Sequence, residues 1–246
     1  MTGPVLIMSA LPEELAALRG AMEDTESFEI AGHEFWRGTI GVHTVAMTTV
    51  GIGKVNAAVA ATLALDHVQP RLVVFTGVAG SLDEAVHIGD VVVAERVVPH
   101  DTGTLGPDGL ERYQPGHVAF LNPTERFGYE PPNDLLDRVR EATAGLRLSP
   151  VLGRQPEIVF GKVATGDQFI NDERERRSLH DDLGAQAVEM EGVAVAQVAD
   201  QFGVPCLVIR AVSDLAGSGA KMDFDRFVAE VSANSTLVTC TVLDAV

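Results

Sequence analysis

The sequence predicts an α/β protein built on a largely parallel sheet with helices on both faces. Short apolar runs, typical of buried strands, alternate with alanine-rich or amphipathic segments, typical of helices, along most of the 246 residues. The chain shows no internal repeat and no change in composition that would mark a linker. We therefore expect a single domain that spans residues 1–246.

In the first third of the chain, strands and helices follow one another closely. Pro12, followed by Glu13 and Glu14, favours a helix start, because proline suits the first helical position and carboxylates suit the helix N-terminus. The glycine turn at residues 51–53 leads into an alanine-rich helix at residues 54–67. The predicted strands are short and apolar and cover residues 5–9, 34–39, 42–50 and 72–76, the last followed by Gly77-Val78-Ala79-Gly80.

The rest of the chain continues the alternation around one long interruption. Residues 99–132 are dense in glycine and proline and predict a loop of over 30 residues; such loops are usually functional, interfacial or flexible. Further strands are predicted at residues 90–98, 158–165, 186–190 and 206–212. Further helices are predicted at residues 133–145, 172–182, 192–202 and 224–243.

The composition argues against several classes of function. The net charge of −17 disfavours binding to nucleic acid or to an anionic membrane surface, because both need a basic face. No stretch approaches the roughly 18 apolar residues of a membrane span, and the N-terminus lacks a signal-peptide pattern. We expect Cys206 and Cys240 to be reduced thiols and the protein to be cytoplasmic.

Charged side chains stand at the ends of two apolar runs. Arg210 lies in a predicted strand with apolar neighbours, where an unpaired guanidinium is very costly, and Glu189 and Glu191 are the natural partners. Arg210 and Asp214 point to the same side of that strand, about 13 Å apart, which suits a small molecule between them. The pattern predicts either an active site at the carboxyl ends of the strands or a buried ion-pair network without a ligand.

Other motifs argue against common chemistries. Residues 48–55 lack the first glycine and the final serine or threonine of a phosphate-binding P-loop, and Asn56 breaks the dinucleotide fingerprint. The seven histidines and two cysteines show no metal-ligand spacing, and no Gly-x-Ser-x-Gly elbow occurs. We therefore expect no metal and no cofactor. Phe169, just after a predicted strand, is either a core residue or an aromatic face for a flat heterocycle.

Eight segments spread along the chain form a pattern more specific than any one of them. They are Ala10-Leu11-Pro12-Glu13-Glu14, Gly51-Ile52-Gly53-Lys54-Val55-Asn56-Ala57-Ala58, Thr76-Gly77-Val78-Ala79-Gly80, Gly89-Asp90-Val91-Val92-Val93, Thr165-Gly166-Asp167-Gln168-Phe169-Ile170, Val188-Glu189-Met190-Glu191, Arg210-Ala211-Val212-Ser213-Asp214 and Phe224-Asp225-Arg226-Phe227. In order and spacing they resemble the 5′-methylthioadenosine/S-adenosylhomocysteine nucleosidases, within the purine nucleoside phosphorylase and uridine phosphorylase superfamily. Residues 99–153 match poorly.

The resemblance implies a three-layer α/β/α sandwich around a twisted mixed, mostly parallel sheet, and a homodimer. It also implies hydrolysis of the N-glycosidic bond between adenine and a 5′-thio-substituted ribose, with a small nucleoside as substrate and water as nucleophile. Such cleavage needs an acid for the base, a base for water, and negative charge near the cationic ribosyl transition state.

By resemblance, Asp214 protonates adenine N7, Ser213 orients Asp214, and Glu14 activates water. Arg210 pairs with the carboxylates and helps to hold the water, and Glu191 binds the ribose hydroxyls. The other implied substrate contacts come from Met190 beneath the sugar, Phe169 stacking on adenine, Ile170 at the adenine edge, the apolar wall of Leu11, Ile52 and Phe224, and from Glu189, Val78, Ala79 and Gly80.

The chain departs from the family pattern at two positions. Val78 stands where many members carry serine, so that one hydrogen bond near the ribose or the water is lost or replaced, and Leu11 replaces the usual methionine, which mildly reshapes the apolar pocket. Both changes bear on substrate preference more than on reaction type. Residues 101–132 would supply aromatic residues to a neighbour's pocket across the dimer, and Tyr113 is a candidate.

Three other functions remain open at this point. A phosphorylase would need an anion site, and the first strand–helix turn carries Glu13 and Glu14 without an arginine. Futalosine or its aminodeoxy form could be hydrolysed by the same residues. A nucleoside-binding or storage protein should have lost the acid or the water-activating carboxylate, whereas Glu14, Glu191 and Asp214 are all present.

Overall fold

The computed structural model describes residues 3–246, which form eleven strands and six helices. The strands are β1 (Val5–Ser9), β2 (Glu23–Ile30), β3 (His33–Ile40), β4 (His43–Thr49), β5 (Leu72–Ser81), β6 (Val91–Pro99), β7 (Gly103–Gly106), β8 (Gly109–Arg112), β9 (Ile158–Thr165), β10 (Ala187–Glu189) and β11 (Cys206–Asp214). The helices are α1 (Pro12–Gly20), α2 (Lys54–Val68), α3 (Asn133–Thr143), α4 (Glu173–Leu183), α5 (Gly192–Gln201) and α6 (Ala220–Ala245).

Nine of these strands form one mixed sheet. Their order is β10-β9-β6-β11-β5-β1-β4-β3-β2, and β7 and β8 form a separate hairpin. In the large sheet five strand pairs run parallel and four run antiparallel. The predicted mixed sheet is therefore confirmed, with parallel pairs in a narrow majority because β2, β3 and β4 form an antiparallel meander at one edge.

Helices cover both faces of the sheet, which gives three layers. Helices α2 and α5 pack on one face against side chains such as Leu6 and Phe75, whereas α1, α3 and α6 pack on the other against Ile7 and Ile209. Successive residues of β1 alternate between the two cores, as strand side chains do, so both faces are buried. None of the helices within residues 3–246 is long and apolar enough to cross a membrane.

Part of the sheet closes on itself. Strand β10 pairs with β9 in parallel and also with β5 in antiparallel, through Ala187 opposite Ser81 and Val188 opposite Gly80. Strands β5, β11, β6, β9 and β10 therefore form a closed ring. The closure brings the ends of β5, β10 and β11 together, and Glu189 meets Arg210 there.

Two predicted boundaries were wrong. Strand β5 does not end at Thr76 but continues to Ser81, because β11 on one side and β10 on the other pair with the segment of small residues at 77–80. The region 99–132 is not loop throughout: it contains the β7–β8 hairpin, and Pro107-Asp108-Gly109 supplies typical turn residues at its tip.

Strand β2 was absent from the prediction. Its sequence from Glu23 to Ile30 is rich in acidic residues and mostly exposed, so it lacks the apolar alternation that marks a half-buried strand. It forms because β3 offers a free edge and because the Phe28 ring stacks on Phe35 with centroids 5.4 Å apart.

Candidate active site

A cavity of about 200 Å³ opens at the carboxyl ends of β1, β5, β9, β10 and β11, the edge at which open α/β sheets bind ligands. Fourteen of the fifteen residues predicted from the sequence line it. They are Leu11, Glu14, Ile52, Val78, Ala79, Gly80, Phe169, Ile170, Glu189, Met190, Glu191, Ser213, Asp214 and Phe224. The remaining one, Arg210, does not line the cavity but lies behind its wall.

Glu14 is fixed at the floor of the cavity by two backbone donors. Val78 N donates to its Oε1 at 2.9 Å, and Leu11 N donates to its Oε2 at 2.8 Å. The side chain is almost fully buried, and burial raises its pKa although the positive charge of Arg210 and the backbone N–H groups act in the opposite direction. Gly77 is required beside it, because a Cβ there would lie 2.6 Å from Glu14 Oε1.

The buried guanidinium of Arg210 is stabilised by an ion pair with Glu189 and by the ring of Phe75. Its Nη2 donates to Glu189 Oε2 at 2.6 Å, its plane lies over the Phe75 ring at 4.1 Å, and it is only 1% exposed. The sequence left Glu189 and Glu191 as alternative partners, and Glu189 makes the ion pair. Glu189 lines the cavity and Arg210 does not, so the expectation that Arg210 and Asp214 bracket one molecule is not met by a direct contact from Arg210.

The carboxylate of Glu189 accepts its hydrogen bonds from other groups of the protein. Besides Arg210, it accepts hydrogen bonds from Gly192 N at 2.8 Å, from Glu191 N at 3.1 Å and from the Thr165 hydroxyl. Two of these donors belong to the N-terminal end of α5, where the helix dipole favours negative charge. Although Glu189 lines the cavity, its role in this structure is to neutralise Arg210 and to anchor the start of α5.

Glu191 is the carboxylate that remains free to face a ligand. Its Oε1 accepts from Gly53 N at 2.7 Å, which ties it to the glycine turn before α2. Burial first, and the charge of Glu189 second, raise the pKa of Glu191 to about 8, against the opposing effect of Arg210. Near neutral pH this group therefore exchanges a proton readily.

Asp214 closes the other side of the cavity. Ser213 Oγ donates to its Oδ2 at 2.9 Å, and Ala216 N donates to its Oδ1 at 2.9 Å. Burial raises the pKa of Asp214 because the cavity wall is mostly apolar. Gly80 leaves room for it, because a Cβ at that position would lie 2.7 Å from Asp214 Oδ1. A buried carboxyl held in this way can act as an acid toward a ligand.

Two aromatic side chains form the mouth of the cavity. Phe169 and Phe224 meet edge to face with ring centroids 6.2 Å apart, and Phe169 is 48% exposed, so it is not the core residue that the sequence left as one possibility. Ile52 is also exposed at this end, whereas Ile170 is buried. The cavity therefore has an apolar mouth and carboxyl groups at its floor.

Four lining residues had no predicted role: Ala10, Gln168, Val188 and Ala216. The first three lie inside motifs that resemble the family, and their position next to predicted site residues was the available signal. Ala216 follows Asp214 in a loop, and no sequence pattern distinguishes it. Within residues 3–246 no group of three or more His, Cys, Asp or Glu is arranged to hold a metal ion.

Comparison with known proteins places this cavity in a family. Residues 4–244 match the model of the phosphorylase superfamily. The chain belongs to the phosphorylase superfamily. Within it, the chain is 47% identical over 244 residues to the 5′-methylthioadenosine/S-adenosylhomocysteine nucleosidase of Mycobacterium bovis, across 97% of this chain and 96% of that relative. The resemblance to the nucleosidase family is therefore confirmed.

Solved structures of the superfamily share the fold along the full chain. The 5′-methylthioadenosine/S-adenosylhomocysteine nucleosidase of Colwellia psychrerythraea, in complex with adenine, superposes with a TM-score of 0.85 at 31% identity, covering 100% of this chain and 96% of that one. The futalosine hydrolase of Helicobacter pylori superposes with a TM-score of 0.86 at 28% identity, covering 100% and 99%. The shape of the fold alone therefore does not separate these two nucleoside hydrolases.

Proposed function

We propose that this superfamily member hydrolyses the N-glycosidic bond of 5′-methylthioadenosine and S-adenosylhomocysteine, giving adenine and the 5′-thio-substituted ribose. The observation that carries the proposal is a buried carboxyl, Asp214, that faces the same cavity as Glu14 and Glu191. These three groups supply an acid, a base and a binding group for hydroxyls at one small apolar site. The 47% identity to a nucleosidase of that name supports the same reaction.

The chemistry assigns one step to each carboxyl group. The C1′–N9 bond breaks and its electron pair passes to the purine, which takes a proton at N7 from Asp214. The oxygen of water bonds to C1′, and the proton that it loses goes to Glu14. Glu191 binds the ribose hydroxyls, and because its pKa is raised to about 8, only the ionised fraction of this group supplies negative charge that stabilises the ribosyl cation as it forms.

Water is favoured over phosphate as the nucleophile. The eighteen lining residues, all within the part of the chain that the structure describes, include no lysine or arginine. The nearest guanidinium, that of Arg210, is committed to Glu189. A phosphate dianion in the cavity would therefore find no lysine or arginine among the lining side chains to pair with.

The first prediction concerns the nucleophile. Purified protein should release adenine from methylthioadenosine at the same rate with and without phosphate, because no cation is free to bind that anion. Release of adenine, followed by coupled absorbance, and of free methylthioribose, identified by mass spectrometry, would measure this. Asp214→Asn protein, prepared identically, controls for contaminating enzymes.

Each of the other outcomes identifies a different activity. Adenine release that requires phosphate, with a ribose 1-phosphate product, would make the protein a phosphorylase and would remove Glu14 as the base. Cleavage of futalosine in preference to methylthioadenosine would reassign the substrate while leaving the three carboxyl groups in their roles. Binding of the nucleoside without turnover would indicate a binding protein.

We infer that the working unit is a homodimer in the cytoplasm. The free thiols of Cys206 and Cys240 fit a reducing compartment. On α2, which begins two residues after the cavity-lining Ile52, Val55 and Val59 lie one turn apart and are exposed. Exposed apolar side chains gathered near a site mark an interaction surface.

The second prediction concerns this surface. Sedimentation velocity should give wild-type protein a mass twice the 26.1 kDa of the chain, and Val55→Glu should shift it toward the monomer because a buried charge opposes association. Val42→Glu is the matched control: Val42 is even more exposed but lies in the β3–β4 turn. Monomeric wild-type protein, or equal effects of the two variants, would contradict the proposed interface.

A further inference from the structure

Three charged residues outside the cavity are joined in a closed ring of hydrogen bonds. Lys54 Nζ donates to Asp101 Oδ1 at 2.6 Å and lies 3.7 Å from Asp167 Oδ2. Asp167 N donates to Asp101 Oδ2 at 2.8 Å, and Lys54 N donates to Asp167 Oδ1 at 2.8 Å. Each residue therefore contacts the other two, and none of the three lines the cavity.

The ring joins segments that are distant in sequence and that both contribute residues to the cavity wall. Lys54 is the first residue of α2, and Gly53 immediately before it donates to Glu191. Asp167 follows β9 and immediately precedes residues 168–170, which line the cavity. Asp101 follows β6 and bridges the two. The ring therefore connects the group proposed for the ribose with the segment proposed for the base.

The ammonium of Lys54 offsets the negative charges of Asp101 and Asp167, so the three side chains stabilise one another. Burial opposes ionisation of Asp101, but its hydrogen bonds to Lys54 and Asp167 N outweigh burial and lower its pKa, so Asp101 is a carboxylate. Without the ammonium of Lys54, two half-buried carboxylates would face each other and repel. The two hydrogen bonds donated by backbone N–H groups would remain, but the 166–171 segment would be held less firmly against the turn before α2.

The proposed acid and water base do not depend on this ring. Asp214 is held by Ser213 and Ala216, and Glu14 is held by the backbone of Leu11 and Val78. Loss of the ring should therefore disturb the groups that bind the nucleoside and spare the groups that carry out the chemistry.

We propose that Lys54, Asp101 and Asp167 are positioning residues that hold the base-contacting segment and Glu191 in register for the nucleoside. This inference rests on the proposed function and adds specificity of binding to it. A loss of binding shared by ground state and transition state raises KM and leaves kcat nearly unchanged, which a general loss of active enzyme would not do.

The third prediction compares single and double variants of the ring residues, to test whether their effects on substrate binding depend on one another. Lys54→Met and Asp101→Asn should each raise KM for methylthioadenosine about tenfold with kcat within about threefold of wild type, an effect of about 1.4 kcal/mol. The affinity for adenine, measured by calorimetry, should weaken in parallel. The double variant should be no worse than the poorer single variant, because contacts within one network do not add. Lys54→Arg should recover part of the loss.

A matched control removes an ion pair elsewhere. Asp200→Asn breaks the pair between Asp200 and Arg126 near the far end of α5, about 14 Å along the helix from Glu191, and should leave KM unchanged. Single variants with KM within twofold of wild type, or effects that multiply in the double variant, would overturn the inference.

The ring and the proposed function fail in different ways. If wild-type protein does not cleave methylthioadenosine, the proposed function fails, and adenine calorimetry on the same variants still decides the role of the ring. If wild-type protein also does not bind adenine, both are overturned. A fall in kcat with unchanged KM would assign Lys54 and Asp101 to the reaction step and refute a positioning role.

Discussion

Replacing Asp214 by asparagine should reduce turnover of methylthioadenosine about 10²- to 10⁴-fold, the usual contribution of a general acid. Asparagine fits the same space and can still accept from Ala216 N and bond to Ser213 Oγ, so the fold should be preserved. It cannot donate a proton to the leaving purine. The measurement is kcat for wild type and variant, with urea unfolding to show that the free energy of unfolding is unchanged.

The pH dependence gives this prediction a second, independent readout. The acid must be protonated to work, and burial raises its pKa, so wild-type kcat should fall as the pH rises through that raised pKa. The residual activity of Asp214→Asn should lack that alkaline limb. Near-wild-type turnover in Asp214→Asn, or an unchanged alkaline limb, would remove Asp214 as the acid. Ser213→Ala, which deletes only the orienting hydroxyl, should lose much less activity.

The second large effect is on stability: Arg210→Met should lower the free energy of unfolding by about 3–5 kcal/mol, the cost of breaking a buried ion pair. Methionine fills much of the volume and can pack on Phe75, but Glu189 is then left buried without its cation. Urea unfolding at pH 7.5 measures the loss. The double variant Arg210→Met/Glu189→Gln should recover a large part of it, because no charge remains unpaired.

The loss from Arg210→Met should also depend on pH. Without the guanidinium, the native state must keep a buried carboxylate unpaired, and proton uptake at lower pH removes that unpaired charge. Stability of the variant should therefore improve as the pH falls from 7.5 to 5.5, relative to wild type. Arg126→Met, which breaks an exposed pair, should cost no more than about 1 kcal/mol at either pH. Equal losses from Arg210→Met and Arg126→Met would contradict the buried-pair explanation.

The pattern of apolar and polar residues along the chain was sufficient to predict most of the strands and helices, as individual elements show. Strands β1 and β11 contain uninterrupted apolar runs because helices cover both of their faces, and such runs stand out in a sequence. Helix α1 begins at Pro12, where chemistry local to the first turn favours the helix. Strand β2 escaped prediction because its stability comes from pairing with β3, and its own residues show no buried alternation.

Much of the candidate site could also be located in advance. A charge at the end of an apolar run signals a special environment, and Glu189, Glu191, Arg210 and Asp214 carried that signal before any fold was known. The family resemblance then added neutral residues, such as Ile52 and Phe224, which have no chemical signature of their own. Lys54 and Asp167 lie inside family-like segments and Asp101 lies in the predicted long loop, but no role was predicted for them, because their contacts form only between segments distant in sequence.

The sequence by itself determined the order of the helices and of the apolar strands, the burial of both sheet faces, and the presence of acidic groups at strand ends. These follow from interactions among residues near one another in the chain. Only the tertiary structure decided that Glu189 pairs with Arg210, that Arg210 lies behind the cavity, and that Glu191 faces it. Those outcomes depend on β10 closing the ring of strands against β5, a contact between residues about a hundred positions apart that no local pattern encodes.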